Sequence, residues 1–320
     1  MSLDAPAALH APDARRRQAG TRRPSTATVG AYVALTKPRI IELLLVTTLP
    51  TMVVAQRGLP PLWLMAATLV GGALAAGGAN AINMVVDVDI DRVMQRTKSR
   101  PLVTGAMTPR AALVFALALE AAAFAELTLA VNLFSAVLAL SATLFYVFVY
   151  TLWLKRRSSQ NIVIGGAAGA VPVLVGWSAV TNSLAWAPVV MFAVIFIWTP
   201  PHFWSLAVRY RDDYAAADVP MLPVVASMRR TTSEIVSYTV ALVATSFLLG
   251  PVAHLGWIYM VTAAALGAGF LWFVTRLWGL AQTGAATGKE AMRVFGFSIT
   301  YLTLLFVAMA GDVLITNHLH

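Results

Sequence analysis

Apolar residues run along this chain in stretches of about twenty, the length that crosses a bilayer as a helix, and short polar breaks separate them. Reading the runs between breaks predicts nine spans: 38–56, 62–86, 110–128, 130–153, 161–181, 186–206, 234–253, 256–278 and 294–315. The break at 128–130 is thin, carried by little more than Glu126, Thr128 and Asn132, so eight spans is the competing count. Small residues crowd the second span (Gly71, Gly72, Ala75, Ala76, Ala79) and the fifth (Gly165, Gly166, Ala167, Ala168, Gly169, Ala170). Such stripes let helix backbones approach closely in lipid. Packing accounts for them, because the strand–turn–helix context of a phosphate loop is missing. The pattern predicts an all-α polytopic membrane protein, one transmembrane domain over 31–320 behind a separate arm over 1–30.

Composition agrees. The chain is 59% hydrophobic and only 12% charged, whereas soluble proteins carry about 25% charged residues. It has no cysteine, which excludes disulfides, thiolate nucleophiles and cysteine-ligated metals. The net charge of +9 raises the question of nucleic acid, and the placement of the charge answers it. With the amino terminus inside, 22 of the 23 Lys and Arg fall in the arm or the inner connections, leaving only Arg57 outside. That is the positive-inside pattern of a membrane protein. The partner of the apolar surface is therefore the lipid bilayer, with no nucleic acid, and the inner face acquires a field that suits anionic substrates. The first thirty residues hold Arg15, Arg16, Arg17, Arg22 and Arg23 without an apolar run. They lack the apolar core of a signal peptide and read as a disordered cytoplasmic arm; a mitochondrial transit peptide is the rival reading. The chain is placed in a bacterial inner membrane, with the mitochondrial inner membrane as its rival.

The chemistry concentrates at the inner end of the second span, in Asn83-Met-Val-Val-Asp87-Val-Asp89-Ile-Asp91-Arg92. On a continuous helix Asn83, Asp87 and Asp91 form one stripe at i, i+4, i+8, while Asp89 points the other way. Like charges at that spacing repel, and carboxylates near the membrane interior are costly unless paired. Mg2+ would stabilise them, because it prefers oxygen ligands, usually one or two carboxylates plus substrate phosphates. An acidic helix end neutralised by neighbouring arginines is the plainer reading. Arg92, Arg96, Lys98 and Arg100 follow at once, however, and acids backed by four cations suit a metal bridged to a polyanion. A second cluster sits at the inner end of the sixth span: Thr199-Pro200-Pro201-His202-Phe203-Trp204, then Arg209-Tyr210-Arg211-Asp212-Asp213-Tyr214, then Asp218. The prolines are expected to break or kink that helix. Two acid-and-arginine clusters on helices running the same way imply a central cavity open to the cytoplasmic face, and Tyr150 and Lys155 end the fourth span on that face.

These residues carry a resemblance. Asn83-x3-Asp87-x3-Asp91 resembles the first aspartate-rich motif of the UbiA-type prenyltransferase superfamily. The strings from Asp89 to Val103, from Asn161 to Ala170 and from Trp198 to Trp204 look like the heme O synthases within it, and Asp213 to Pro223 is similar to their second motif. The resemblance spans about 36–225 and leaves the arm uncovered. It implies nine helices around a cavity, Mg2+-dependent binding of farnesyl diphosphate, and transfer of the farnesyl group to a vinyl group of protoheme IX (heme B). A heme A synthase is the implied downstream partner. On this reading Asp87 and Asp91 hold Mg2+, with Asn83 as a neutral ligand or orienting group and Asp213 the ligand from the opposite helix. Arg96, Lys98, Arg100, Lys155, Arg209 and Asp212 face the diphosphate, Tyr150 donates to the leaving oxygen, and His202 either ligates the heme iron or positions the heme, or else makes a structural hydrogen bond. Many superfamily members have Asp-x3-Asp in the second motif, but Ala217 and Ala216 stand four residues after Asp213 and Asp212. Which of Asp212, Asp213 and Asp218 holds metal stays open. Glu120, midway along the third span, has no assigned role.

Two other readings compete. A related prenyltransferase acting on 4-hydroxybenzoate or a chlorin would share the diphosphate half of the site. A secondary transporter also keeps acids and broken helices in the membrane, but both clusters at one face suit an enzyme better than alternating access. The orientation is directly testable: reporter fusions after Gly105, Ser159, Met228 and Gly288 should report inside, and those near Asn182 and His318 outside. An inside carboxyl terminus would overturn the nine-span map.

Overall fold

The computed structural model describes residues 29–316, with backbone alone for 39–45; the basic arm lies outside the described residues except for its last two. In chain order the helices are α1 (Val29–Thr36), α2 (Pro38–Gln56), α3 (Leu62–Val86), α4 (Val88–Val93), α5 (Pro101–Thr104), α6 (Pro109–Ala130) and α7 (Leu133–Leu144). They continue with α8 (Asn161–Thr181), α9 (Trp186–Arg209), α10 (Arg211–Ala216), α11 (Leu222–Val225), α12 (Met228–Val252), α13 (Trp257–Gln282) and α14 (Gly288–Thr316). Among the described residues there is no strand. Lipid offers no partner to a backbone amide, so a spanning segment must satisfy its own, as helices do.

Among the described residues eight helices are long and apolar enough to cross a membrane: α3, α6, α7 with its continuation to Arg156, α8, α9, α12, α13 and α14. The stretch expected as the first span is α2, helical over all 19 of its residues. A break is there, but at Val131–Asn132 instead of 128–130, because α6 runs on to Ala130. Asn132 makes it, accepting from the Ser135 amide (2.8 Å) to cap α7 while its own amide donates to Ser178 O on α8 (2.9 Å). Exposed Trp63, Trp186 and Trp257 stand at the starts of α3, α9 and α13, the placement expected of an aromatic belt at a membrane interface.

The expected break at Pro200-Pro201 does not occur: α9 runs unbroken through both prolines. Prolines in membrane helices are tolerated where hydroxyls and neighbouring helices satisfy the freed backbone groups. The carbonyls that lose a donor here are those of Phe196 and Ile197; Thr199 donates to Ile195 O (2.9 Å) and Ser205 to Pro201 O (2.6 Å), hydroxyl bonds that flank the pair without replacing the missing ones.

Helices adjacent in sequence pack side by side, and α2 and α14 close the ring by packing together and against α8 and α9. The largest apolar cluster joins α8, α9 and α12–α14, with Trp204, Tyr259, Phe270, Tyr301 and Phe306 fully buried in it. Polar contacts tie its helices: Tyr259 Oη donates to Ser246 O (2.7 Å), and Ser246 Oγ meets Tyr301 Oη (2.8 Å). Buried Asp312 on α14 accepts from the Gly256 and Tyr259 amides (2.5 and 3.3 Å), capping the first turn of α13 from another helix. Asp312→Ala would strand those donors, and should cost about 1–3 kcal/mol of stability. A drop in Tm of the purified, correctly inserted protein is the readout.

Candidate active site

The Asn83–Asp87–Asp91 stripe forms as expected. Although α3 ends at Val86, Asp87 remains near-helical (φ −92°, ψ 11°). The i→i+4 backbone bonds continue through it, Asp87 N to Asn83 O at 3.0 Å and Asp91 N to Asp87 O at 2.8 Å. Asn83, Asp87 and Asp91 are buried, whereas the Asp89 side chain is 65% exposed.

Cations from three other segments meet this stripe. Lys155 pairs with Asp87 Oδ2, and Arg100 Nη1 lies 2.5 Å from Asp91 Oδ2. Arg156 grips Asp89 with two bonds (2.6 and 2.7 Å) and lies 3.7 Å from Asp87 Oδ1. The hydrogen bond from Arg156 holds the Asp89 carboxyl down to about 2. Lys37, between α1 and α2, donates to Asn83 Oδ1 (2.9 Å). Burial first, then Arg100 and Lys155, push its ammonium down to about 7, and an arriving anion would favour its charged form.

The segment that brings Lys155 here is unusual. After α7 the chain continues as a nine-residue π-helix, Phe145–Trp153, and one tight 3-10 turn, Leu154–Arg156. π-helical segments often mark functional sites. Thr151 Oγ1 donates to Tyr146 O five residues back (2.9 Å) and accepts from Asn83 Nδ2 (3.2 Å). The other proton of that amide serves Asp87 Oδ2 (2.7 Å). Tyr146 and Tyr150 stack at 5.3 Å.

The second cluster lies against the first. Ile90 and Met94 of the first motif pack with Ile162, Ala207, Tyr214, Val219 and Met221, with Tyr150 and Phe203 alongside. The Arg96 amide donates to Asp213 Oδ2 (3.2 Å), and the Arg96 guanidinium lies over the Tyr210 and Tyr214 rings. Asp213 is half-buried beside the first motif, while Asp212 and Asp218 are exposed. Lys98 is exposed and bonds Gln95; Arg209 is exposed and packs against Gly288. Neither joins the ion-pair cluster.

Behind Tyr150 opens a cavity of about 360 Å³ between α2, α3, α7, α8 and α9. Thr68, Gly72, Ala76, Tyr146, Gly169, Pro172, Thr199 and His202 are among its walls. The small-residue stripes thus do two things. Gly71, Gly78 and Gly166 touch neighbouring helices, while a Cβ at Gly72 or Gly169 would meet open space. His202 is half-buried at the wall, stacked between Trp198 and Phe295 with Nδ1 2.7 Å from Ser298 Oγ. Glu120 faces α3 instead, against Gly78, and accepts from the wall residue Thr143 (3.3 Å).

A model of the UbiA prenyltransferase family matches residues 44–297. The chain belongs to that family. Curated relatives include protoheme IX farnesyltransferase 1 of Saccharopolyspora erythraea, 55% identical over 291 residues, covering 91% of this chain and 92% of that one. The protoheme IX farnesyltransferase of Frankia alni is 56% identical over 284 residues, 89% of this chain and 98% of that one. Among solved structures, a digeranylgeranylglyceryl phosphate synthase superposes with a TM-score of 0.73 at 16% identity, covering 89% of this chain and 98% of that one. A UbiA homolog from Archaeoglobus fulgidus, bound to DMAPP and Mg2+, gives 0.62 at 18% identity, covering 89% and 99%. These structural likenesses show the UbiA fold.

The donor set of this UbiA-family site fits Mg2+. Asp87 Oδ1 is buried with no hydrogen-bond partner, an oxygen lone pair left open beside Asp91. Asp213 does not gather with Asp87 and Asp91 into a cage of three among the described residues, so Mg2+ here would rest on the two carboxylates of the stripe with phosphate and water. Lys37, Tyr146, Thr151 and Arg156 were not legible as site residues, because only the folded chain brings them to the stripe. Asp87→Asn and Asp91→Asn keep size and remove charge, so turnover should fall by orders of magnitude with insertion intact. Asp89→Asn should be milder; equal losses at all three positions would refute the division between stripe and rim.

Proposed function

We propose that this chain transfers the farnesyl group of farnesyl diphosphate to a vinyl group of protoheme IX, as a heme O synthase. The observation that carries the diphosphate half is the buried Asp87–Asp91 stripe facing Lys37, Arg100, Lys155 and Arg156 beside an apolar cavity. The acceptor half is supported by relatives at 55% identity over about nine-tenths of the chain, named protoheme IX farnesyltransferase. The protein is taken to span a bacterial inner membrane nine times, amino terminus and site mouth on the cytoplasmic side.

In the reaction the allylic C–O bond of farnesyl diphosphate breaks, and its electron pair leaves with the diphosphate. The terminal vinyl carbon gives its π pair to the farnesyl carbon. The cation left next to the porphyrin takes the oxygen of water, and a proton is released. Diphosphate and a hydroxyethylfarnesyl heme, heme O, result. Asp87 and Asp91, with Asn83 orienting, would hold Mg2+, which as a Lewis acid neutralises charge on the leaving group; Asp213, held on the Arg96 amide, faces the same motif. Lys37, Arg96, Arg100 and Lys155 bind the diphosphate oxygens, where preorganised cations favour the charge that develops. Exposed Lys98 and Arg209 add to the field that draws anions to this face, and exposed Asp212 stands away from the first motif, where Asp213 lies. Tyr150, between the charged cluster and the cavity, donates to the leaving oxygen. The apolar walls take the prenyl chain and keep bulk water from the cation. His202 positions the heme.

Purified protein with heme B, farnesyl diphosphate and Mg2+ should give a heme heavier by a farnesyl group plus hydroxyl, read by mass spectrometry. Chelating the metal should stop the conversion, and geranyl diphosphate should be the poorer donor. Unchanged heme with prenylated 4-hydroxybenzoate would keep the family and overturn the acceptor; no prenylated acceptor would bring back the transporter reading.

A further inference from the structure

His202 is enclosed on three sides. Trp198 and Phe295 both stack on it, at centroid distances of 4.1 and 4.5 Å, and two rings this close and nearly parallel to a third must occupy its opposite faces. At its edge, Nδ1 lies 2.7 Å from Ser298 Oγ. A serine hydroxyl has one hydrogen, and that of Ser298 goes to Phe295 O at 2.6 Å. With its hydrogen on that carbonyl the oxygen accepts from His202, an arrangement that assigns the proton to Nδ1 and leaves the lone pair on Nε2. With both faces and the Nδ1 edge covered, the Nε2 edge is what His202 has left to offer the cavity it lines. No group among the described residues bonds Nε2. Ser298 is itself pinned, fully buried, with its carbonyl accepting from Trp198 Nε1 at 2.8 Å.

A histidine with a purely structural role tends to satisfy both nitrogens when buried. A neutral imidazole with one nitrogen bonded behind and the other free in front is the form that ligates metals, the rear bond setting tautomer and ring orientation. We propose that Ser298 is a positioning residue for the heme substrate, fixing His202 as the Nδ1–H tautomer and so presenting Nε2 to the heme iron. The proposal rests on the heme reading of the cavity given above. It assigns a role to α14, which otherwise reaches the cavity only through Leu302.

The test is titration of the full chain in detergent with two probes, heme B and metal-free protoporphyrin IX, whose shape is the same but which has no iron to ligate. Ser298→Ala should weaken heme B binding about tenfold, the lower end of what a metal-bound histidine loses with its rear partner. Its Soret band should move toward that of His202→Ala, with affinity for the metal-free porphyrin unchanged. Ser298→Thr keeps the hydroxyl and should bind both probes as the wild type does. If Ser298→Ala does not fold, Ser298→Cys, close in size and a weak acceptor, should show the same losses. Equal weakening of both porphyrins would mean packing, and would overturn the proposal. Wild-type heme binding in Ser298→Ala, with loss in His202→Ala, would overturn the role of Ser298 and leave that of His202. No change in His202→Ala would overturn the ligation reading beneath it.

Discussion

Two fully buried carboxylates, Asp87 and Asp91, are the constraint around which this protein is organised. A buried charge is tolerated only when paired, and neither partner comes from the helix that carries the acids. Lys155 reaches Asp87 from the end of the fourth span, and Arg100 reaches Asp91 from the loop before α5. Removing one partner of such a pair costs about 3–5 kcal/mol, because the other charge is left stranded. The acids thereby tie the inner end of α3 to the turn that ends α7's continuation and to the loop before α5. The pairing is nonetheless incomplete: Asp87 Oδ1 keeps an open lone pair and the cations outnumber the buried acids. The site is poised to take a cation on the acids and an anion on the bases together.

The backbone near this cluster departs from the ideal helix where the pairing demands it. The chain relaxes at Asp87, between α3 and α4, without losing the i→i+4 bonds that keep the stripe aligned. On the facing helix the π-helical run turns Tyr146, Tyr150 and Thr151 toward the same place and delivers Lys155 at its end. These irregularities lie where protein covers the backbone, the condition under which a membrane tolerates them. Beyond them the cavity wall is mostly small and apolar, so charge is confined to one end of the site and apolar surface to the other.

Much of this was legible in the chain alone. The apolar runs marked the helices, since a bilayer imposes a length and a hydropathy that few other environments share. The i, i+4, i+8 spacing separated Asp87 and Asp91 from Asp89, because helical periodicity is a local property, and the buried and exposed carboxylates follow it. The aspartate motifs identified the family for the same reason: their chemistry is written in consecutive residues.

What the tertiary structure alone decided is which distant residues complete the site. Lys37 counted in the sequence only as a basic residue near a span, yet it lies on Asn83, 46 positions away. The glycine stripes read as packing, and only the assembled bundle separates Gly71, which touches a neighbour, from Gly72, which faces the cavity. Pro200 and Pro201 signalled a break or kink, and only the folded chain shows α9 staying helical through both. The second motif left three aspartates open, and the fold sets Asp213 beside the first motif and leaves Asp212 and Asp218 exposed. Ser298 had no signal at all, because its meaning lies in one hydroxyl proton and a ring 96 residues away. Local spacing is carried by the covalent chain and survives in the sequence. Contacts between distant segments depend on which helix faces pack together, and only folding determines that.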